Sequence, residues 1–127
     1  MKLALLMSVV VLALPACASS RSQLAQGRDP ARITEDEIIA SLASDAYDAI
    51  EKLRANFLTS RGRTSFRAND SPLPTVFVDG LKYGPISTLK TIPASSVAEI
   101  RLFRSWEATS LYGTGFMSGV IAVTTRR

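Results

Sequence analysis

Three apolar rhythms follow one another along this chain of 127 residues. Residues 3–15 form an uninterrupted, uncharged and mostly apolar run. From residue 33 to residue 57 the apolar positions recur every three or four residues, the helical period. From residue 75 onward, short Val-, Ile- and aromatic-rich runs alternate with Gly and Pro punctuation, as strands do. In the helical block, Thr34-Glu35-Asp36-Glu37 reads as a capping box, with Ile33 and Ile38 placed as its hydrophobic staple. Three acids in that first turn also suit the positive end of the helix dipole. A second helix, capped by Ser44 or Asp45 and reaching about Ala55, carries an apolar stripe of Tyr47, Ile50, Leu53 and Phe57. Asp48 and Lys52 form an i, i+4 pair on its wet face.

Thr75-Val76-Phe77-Val78 is bounded by Pro74 and by Asp79-Gly80, a strong hairpin signal because glycine tolerates positive φ. Leu81-Lys82-Tyr83 is the returning strand. Pro85 opens a short helical turn through Leu89 that Ile92-Pro93 stops, and Ser95-Ser96-Val97 reads as another turn. Glu99 to Arg104 alternates and predicts a strand. Residues 106–112 predict a single helical turn. Residues 119–125 predict a final strand, rich enough in Val and Ile to lie centrally. The expected fold class is α+β, with a small mixed sheet of about four strands and two or three short helices.

The N-terminal run has a different destiny. Met1-Lys2 supplies a positive start, and residues 3–15 fall short of the ~20 residues that span a bilayer but match a signal-peptide core. Leu14-Pro15-Ala16-Cys17 resembles a bacterial lipobox, in which Cys17 becomes the lipid-attached N-terminus. Ala16-Cys17-Ala18 also fits ordinary secretory cleavage. The single cysteine of the chain stands where a lipobox needs one, which favours the lipoprotein reading. Similarity to bacterial lipoproteins, with Ala18 in place of aspartate, implies outer-membrane retention. The expected organisation is a signal peptide over 1–16, a polar flexible tether over 17–32 and a folded domain over 33–127.

Composition narrows the chemistry. The absence of histidine removes His-based triads and His metal sites, and one cysteine removes internal disulfides and thiolate zinc sites. No metal or cofactor is expected. A net charge of +4 is too mild for a nucleic-acid footprint. The acids Glu35, Asp36, Glu37, Asp45, Asp48 and Glu51 are read as caps and solvated charges in preference to a metal or acid–base cluster. Arg54, Arg61, Arg63 and Arg67 are read as a solvated basic stretch that pairs with the acidic helices, in preference to an anion site. Gly113, Gly115 and Gly119 precede a strand, whereas a dinucleotide loop precedes a helix, so they are read as tight turns and close approaches. Asp79 and Glu99 are the only acids in strand-rich territory, and Asp79 already has a turn to serve. The chain is therefore expected to be non-catalytic.

Taken in order, the helix pair, the Val78-Asp79-Gly80 hairpin, the Ile-Pro turn, the Val-Ala-Glu-Ile-Arg-Leu strand, Leu-Tyr-Gly-Thr-Gly and Gly-Val-Ile-Ala-Val-Thr-Thr resemble the plug domain of TonB-dependent outer-membrane receptors. The resemblance runs from about Ile33 to Arg126, and its most specific positions are Val78, Asp79, Gly80, Glu99, Ile100, Tyr112, Gly113, Gly119, Val120 and Ile121. The chain departs from the family where Ala68 follows Arg67 in place of an Arg-Gly step, and where Ser105-Trp106 replaces Gly-Pro. No energy-coupling box is visible at the N-terminus. A membrane β-strand takes roughly 9–11 residues, so this length cannot also build the many-stranded barrel that a plug fills. Transport by this chain alone is not implied.

The expected function is an exported plug-like binding module at the outer membrane or in the periplasm. Its partner is an envelope protein, a separately encoded barrel included, or a small ligand related to TonB-dependent uptake. It meets the membrane through a lipid anchor, and nucleic acid is not a partner. Candidate contact loops span 61–69, 84–91 and 105–118, with Arg61, Arg63, Arg67, Tyr83, Trp106 and Phe116 as contact residues. Tyr112 joins them as an aromatic anchor, although Tyr112 and Phe116 fit a small core equally well. The alternative is a structural envelope lipoprotein that uses the same fold with no transport role.

Overall fold

The computed structural model describes residues 28–60 and 71–127. Cys17, the signal segment, most of the tether and Arg61, Arg63 and Arg67 therefore lie outside the described residues. The chain is α+β. Its elements are strand β1 (Arg32–Thr34), helix α1 (Glu35–Ser41), helix α2 (Ala46–Arg54), strands β2 (Thr75–Val78), β3 (Leu81–Gly84) and β4 (Val97–Phe103), helix α3 (Ser105–Tyr112) and strand β5 (Val120–Thr125). Short 3-10 turns at Ala55–Phe57, Ile86–Thr91 and Ala94–Ser96 join them.

The strands form one five-stranded mixed sheet in the order β1-β4-β5-β2-β3. β5 is central, parallel to β2 and antiparallel to β4. One strand more is present than the sequence predicts, because Arg32, expected to end the tether, opens β1 and pairs with Arg101 of β4. Three residues are too few to show an alternating pattern, so this edge strand was illegible from spacing alone.

Register explains the two faces. Ile33, Ile100, Val123 and Val78 stand opposite one another in a row across four strands, and Leu102, Ile121 and Val76 form the next row. These side chains pack with Ile38, Ala49, Ile50, Phe57 and Leu89 into the main core, which covers this face with α1, α2 and the 3-10 turns. Burying an aliphatic or Phe side chain is worth about 1.5–3 kcal/mol, so these rows are the principal reason the strands adopt this register. The stripe on α2 is rotated slightly from the expected one. Ala46, Ala49 and Ile50 are fully buried, while Tyr47 and Leu53 flank the core.

On the opposite face the rows grade from polar to apolar. Thr34, Glu99 and Thr124 form one row, and Arg101, Ala122, Phe77 and Lys82 the next. Phe103 and Val120 end the series beneath α3, where Phe77, Ala108 and Val120 are buried with Tyr112 and Phe116 against them. The α3 segment was expected to be one helical turn; it runs to eight residues. Glu107 caps it by accepting from the Arg104 N–H at 3.0 Å.

Both predicted N-terminal helix starts form. Glu37 accepts from the Thr34 N–H at 3.2 Å, and Ile33 and Ile38 are buried beside it as the staple. Asp45, and not Ser44, caps α2 by accepting from the Asp48 N–H at 2.8 Å.

Candidate binding surface

The residues that carry the family resemblance turn out to be architectural. Asp79 and Gly80 both have positive φ, 49° and 83°, the pair of values a two-residue hairpin turn requires. Asp79 then reaches across to the end of β5. Its N–H donates to the Val123 carbonyl at 2.9 Å, while its carboxylate accepts from the Thr125 N–H at 2.9 Å and the Thr125 hydroxyl at 2.6 Å. The Thr125 hydroxyl and then its N–H hold the Asp79 carboxyl below the usual carboxylate range. Both Asp79 oxygens are thus committed to latching the β2–β3 turn onto the sheet centre. Glu99 is committed too, 2.6 Å from Arg32 on β1. Val78 is half-buried in the main core row, and Ile100, Val120 and Ile121 are buried.

Two glycines have specific reasons. Gly113 ends α3 at φ 98°. Gly119 combines φ 94° with a close approach, since a Cβ there would stand 2.8 Å from the Phe103 carbonyl oxygen. The expected close packing of backbone is therefore found at Gly119.

The Asp48–Lys52 pair and the pairing of Arg54 with an acidic helix form as expected, and Arg28 and Arg126 join them. Glu37 lies 3.2 Å from Arg54 and 3.3 Å from Arg28, Glu35 lies 2.9 Å from Arg126, and Asp48 lies 2.8 Å from Lys52. The hydrogen bond from Lys52, followed by that from the Ser44 N–H, lowers the Asp48 pKa. Among the described residues no group of three acids or cysteines is placed to hold a metal ion.

The four aromatic candidates separate into two kinds. Tyr112 and Phe116 are half-buried around Phe77, with ring centroids 4.4 Å and 5.2 Å from it. Tyr83 and Trp106 face solvent, 51% and 70% exposed. Tyr83 sits on the edge strand, its hydroxyl 3.4 Å from that of Thr91. Trp106 sits in the first turn of α3, on the side turned away from buried Ala108. The two exposed rings thus belong to separate elements.

A feature the sequence reading passed over lies beside β3. A cavity of about 240 Å³ is lined by Ser71, Leu73, Thr75, Lys82 and residues 115–119. The Lys82 ammonium sits 5.6 Å from the Phe116 ring centroid. The signal was available: the Asp-Gly turn pairs Val78 with Leu81, which sets Lys82 opposite Phe77 on the α3 side.

Among the described residues no helix is long and apolar enough to cross a membrane. Comparison with family models, with curated proteins and with solved structures found no match.

Proposed function

We propose that this chain is an exported, non-catalytic binding module of plug-like type, held at the outer membrane by lipid on Cys17 and engaging an envelope protein. The single observation that carries the reading is the solvent exposure of Trp106 and Tyr83 on a domain whose other described rings pack inward. Trp and Tyr are the side chains most enriched at interface hot spots. Further support comes from element order. The helix pair, the Asp-Gly hairpin, the Glu-Ile strand and the central C-terminal strand follow in the sequence on which the resemblance to receptor plugs rests.

Affinity capture of the full chain from its native envelope tests this. Wild type is expected to retain one specific envelope protein, and the Trp106→Ser/Tyr83→Ser pair to lose it while keeping a native far-UV circular dichroism spectrum. Equal capture by both proteins, or no specific protein with wild type, refutes the reading.

A further inference from the structure

We propose that the cavity beside β3 is a binding site for small organic monocarboxylates, with Lys82 taking the carboxylate and Phe116 and Leu73 taking the apolar tail. The inference goes beyond the proposed partner surface and does not depend on where the chain resides.

Among the described residues no carboxylate pairs with the Lys82 ammonium; its one described interaction is with the Phe116 ring. Of the other exposed cations in the sheet region, Arg32 pairs with Glu99 and Arg126 with Glu35, while Arg101 lies over the Phe103 ring and outside this cavity. A cation over an aromatic face is partly desolvated on that side, which raises the value of an anion arriving from the other. Thr75 lines the same cavity, and its hydroxyl makes no hydrogen bond among the described residues, so a donor is available for a second oxygen. One cation and one hydroxyl balance a monoanion; a phosphate dianion would leave charge uncompensated.

The remaining lining sets the tail. Leu73, 37% exposed, and the Phe116 ring give the cavity an apolar side next to its cation, while Ser71 and Ser118 keep the rest polar, which suits a small organic group with one charged end. At ~30 Å³ per water, the volume equals about eight waters, or a ligand of about ten non-hydrogen atoms. The β2–β3 register places the Lys82 backbone, and an edge contact with Phe77 places the Phe116 ring. Gly119 admits no side chain without displacing the Phe103 carbonyl.

Phenylacetate has the required size and charge, and phenylacetamide is its neutral counterpart. Titration of the ¹⁵N-labelled full chain with each is followed at the Gly115 and Gly119 amides. Phenylacetate is expected to saturate with a Kd of about 1 mM, as suits one half-exposed ion contact and a small apolar area. Phenylacetamide should bind about tenfold more weakly, because it lacks the charge-assisted bond. Lys82→Met should weaken phenylacetate about tenfold and leave phenylacetamide unchanged, while Thr75→Val weakens phenylacetate a few-fold. Equal affinity for acid and amide, an unchanged Lys82→Met variant, or shifts that fail to saturate or centre elsewhere overturns the site. Inorganic phosphate displacing phenylacetate at equal concentration overturns the organic tail.

Discussion

Replacing Gly119 with alanine tests the centre of the sheet through a single methyl group. Two separate penalties meet there. The residue has φ 94°, and a left-handed backbone costs an L-residue roughly 1–2 kcal/mol. The new Cβ would also stand 2.8 Å from the Phe103 carbonyl oxygen, inside any ordinary contact. That carbonyl cannot retreat freely, because Phe103 pairs with Val120 in the β4–β5 ladder. Forcing an atom into packed structure typically costs about 1–3 kcal/mol, so Gly119→Ala should lose about 2–5 kcal/mol in all. Two control sites divide the sum. Gly80 has φ 83° with nothing within 4 Å of an added Cβ, so Gly80→Ala should lose only the backbone part, about 1–2 kcal/mol. Gly115 has neither a positive φ nor a neighbour within 4 Å, so Gly115→Ala should stay within about ±0.5 kcal/mol. Urea denaturation by far-UV circular dichroism is the suitable assay. The lone tryptophan, Trp106, is 70% exposed and would report unfolding poorly by fluorescence. With a slope of about 2 kcal/mol/M, the middle of the usual urea range, Gly119→Ala should lower the urea midpoint by about 1–2.5 M. A Gly119→Ala midpoint no lower than that of Gly80→Ala would refute the close approach of β4 to the β5 entry.

Asp79→Ala should lower the urea midpoint at pH 7 and narrow its gap from wild type in acid. The Asp79 carboxyl titrates lower folded than unfolded, so its contribution is present above the ordinary aspartate pKa and is lost as pH falls through the lowered folded value. A gap constant from pH 7 down to acid would contradict the Thr125 latch. Phe77→Ala removes the ring against which Tyr112 and Phe116 pack and should cost about 3–5 kcal/mol, whereas Trp106→Ala should stay within about ±0.5 kcal/mol. Comparable losses in the two would mean that Trp106 serves the fold. Cys17→Ser should shift the protein from the membrane pellet to the soluble fraction and abolish palmitate labelling; unchanged retention would rule out the lipid anchor.

Local chemistry was the most legible part of the fold. The Thr34–Glu37 box, the Asp45 cap, the Asp79-Gly80 hairpin and the central β5 each rest on interactions within a few residues or on a Val/Ile run that only a buried strand suits. What escaped depends on distant partners. β1 exists because β4 offers it an edge, and no pattern within Arg32–Thr34 reveals that. The second turn of α3 is stabilised by Ala108 and Tyr112 packing on Val120 and on Phe77, which lies on a strand well before the helix in sequence. The Asp79–Thr125 latch joins residues 46 positions apart, although each stands in the motif that prompted the family resemblance. Of the contact candidates, sequence alone could not separate Trp106 and Tyr83 from Tyr112 and Phe116. Burial was decided by which of these rings meet Phe77 and Phe103, the rings that β2 and β4 carry on the α3 side.

Photo-crosslinking in intact envelopes addresses the binding module most directly. A benzophenone side chain is introduced at position 106 in one variant, at position 83 in another, and at exposed Asp36 as control. A discrete adduct with the same envelope protein at 106 or 83, and none at 36, is the expected result. No adduct at either aromatic position, or the same pattern at all three, would contradict the account.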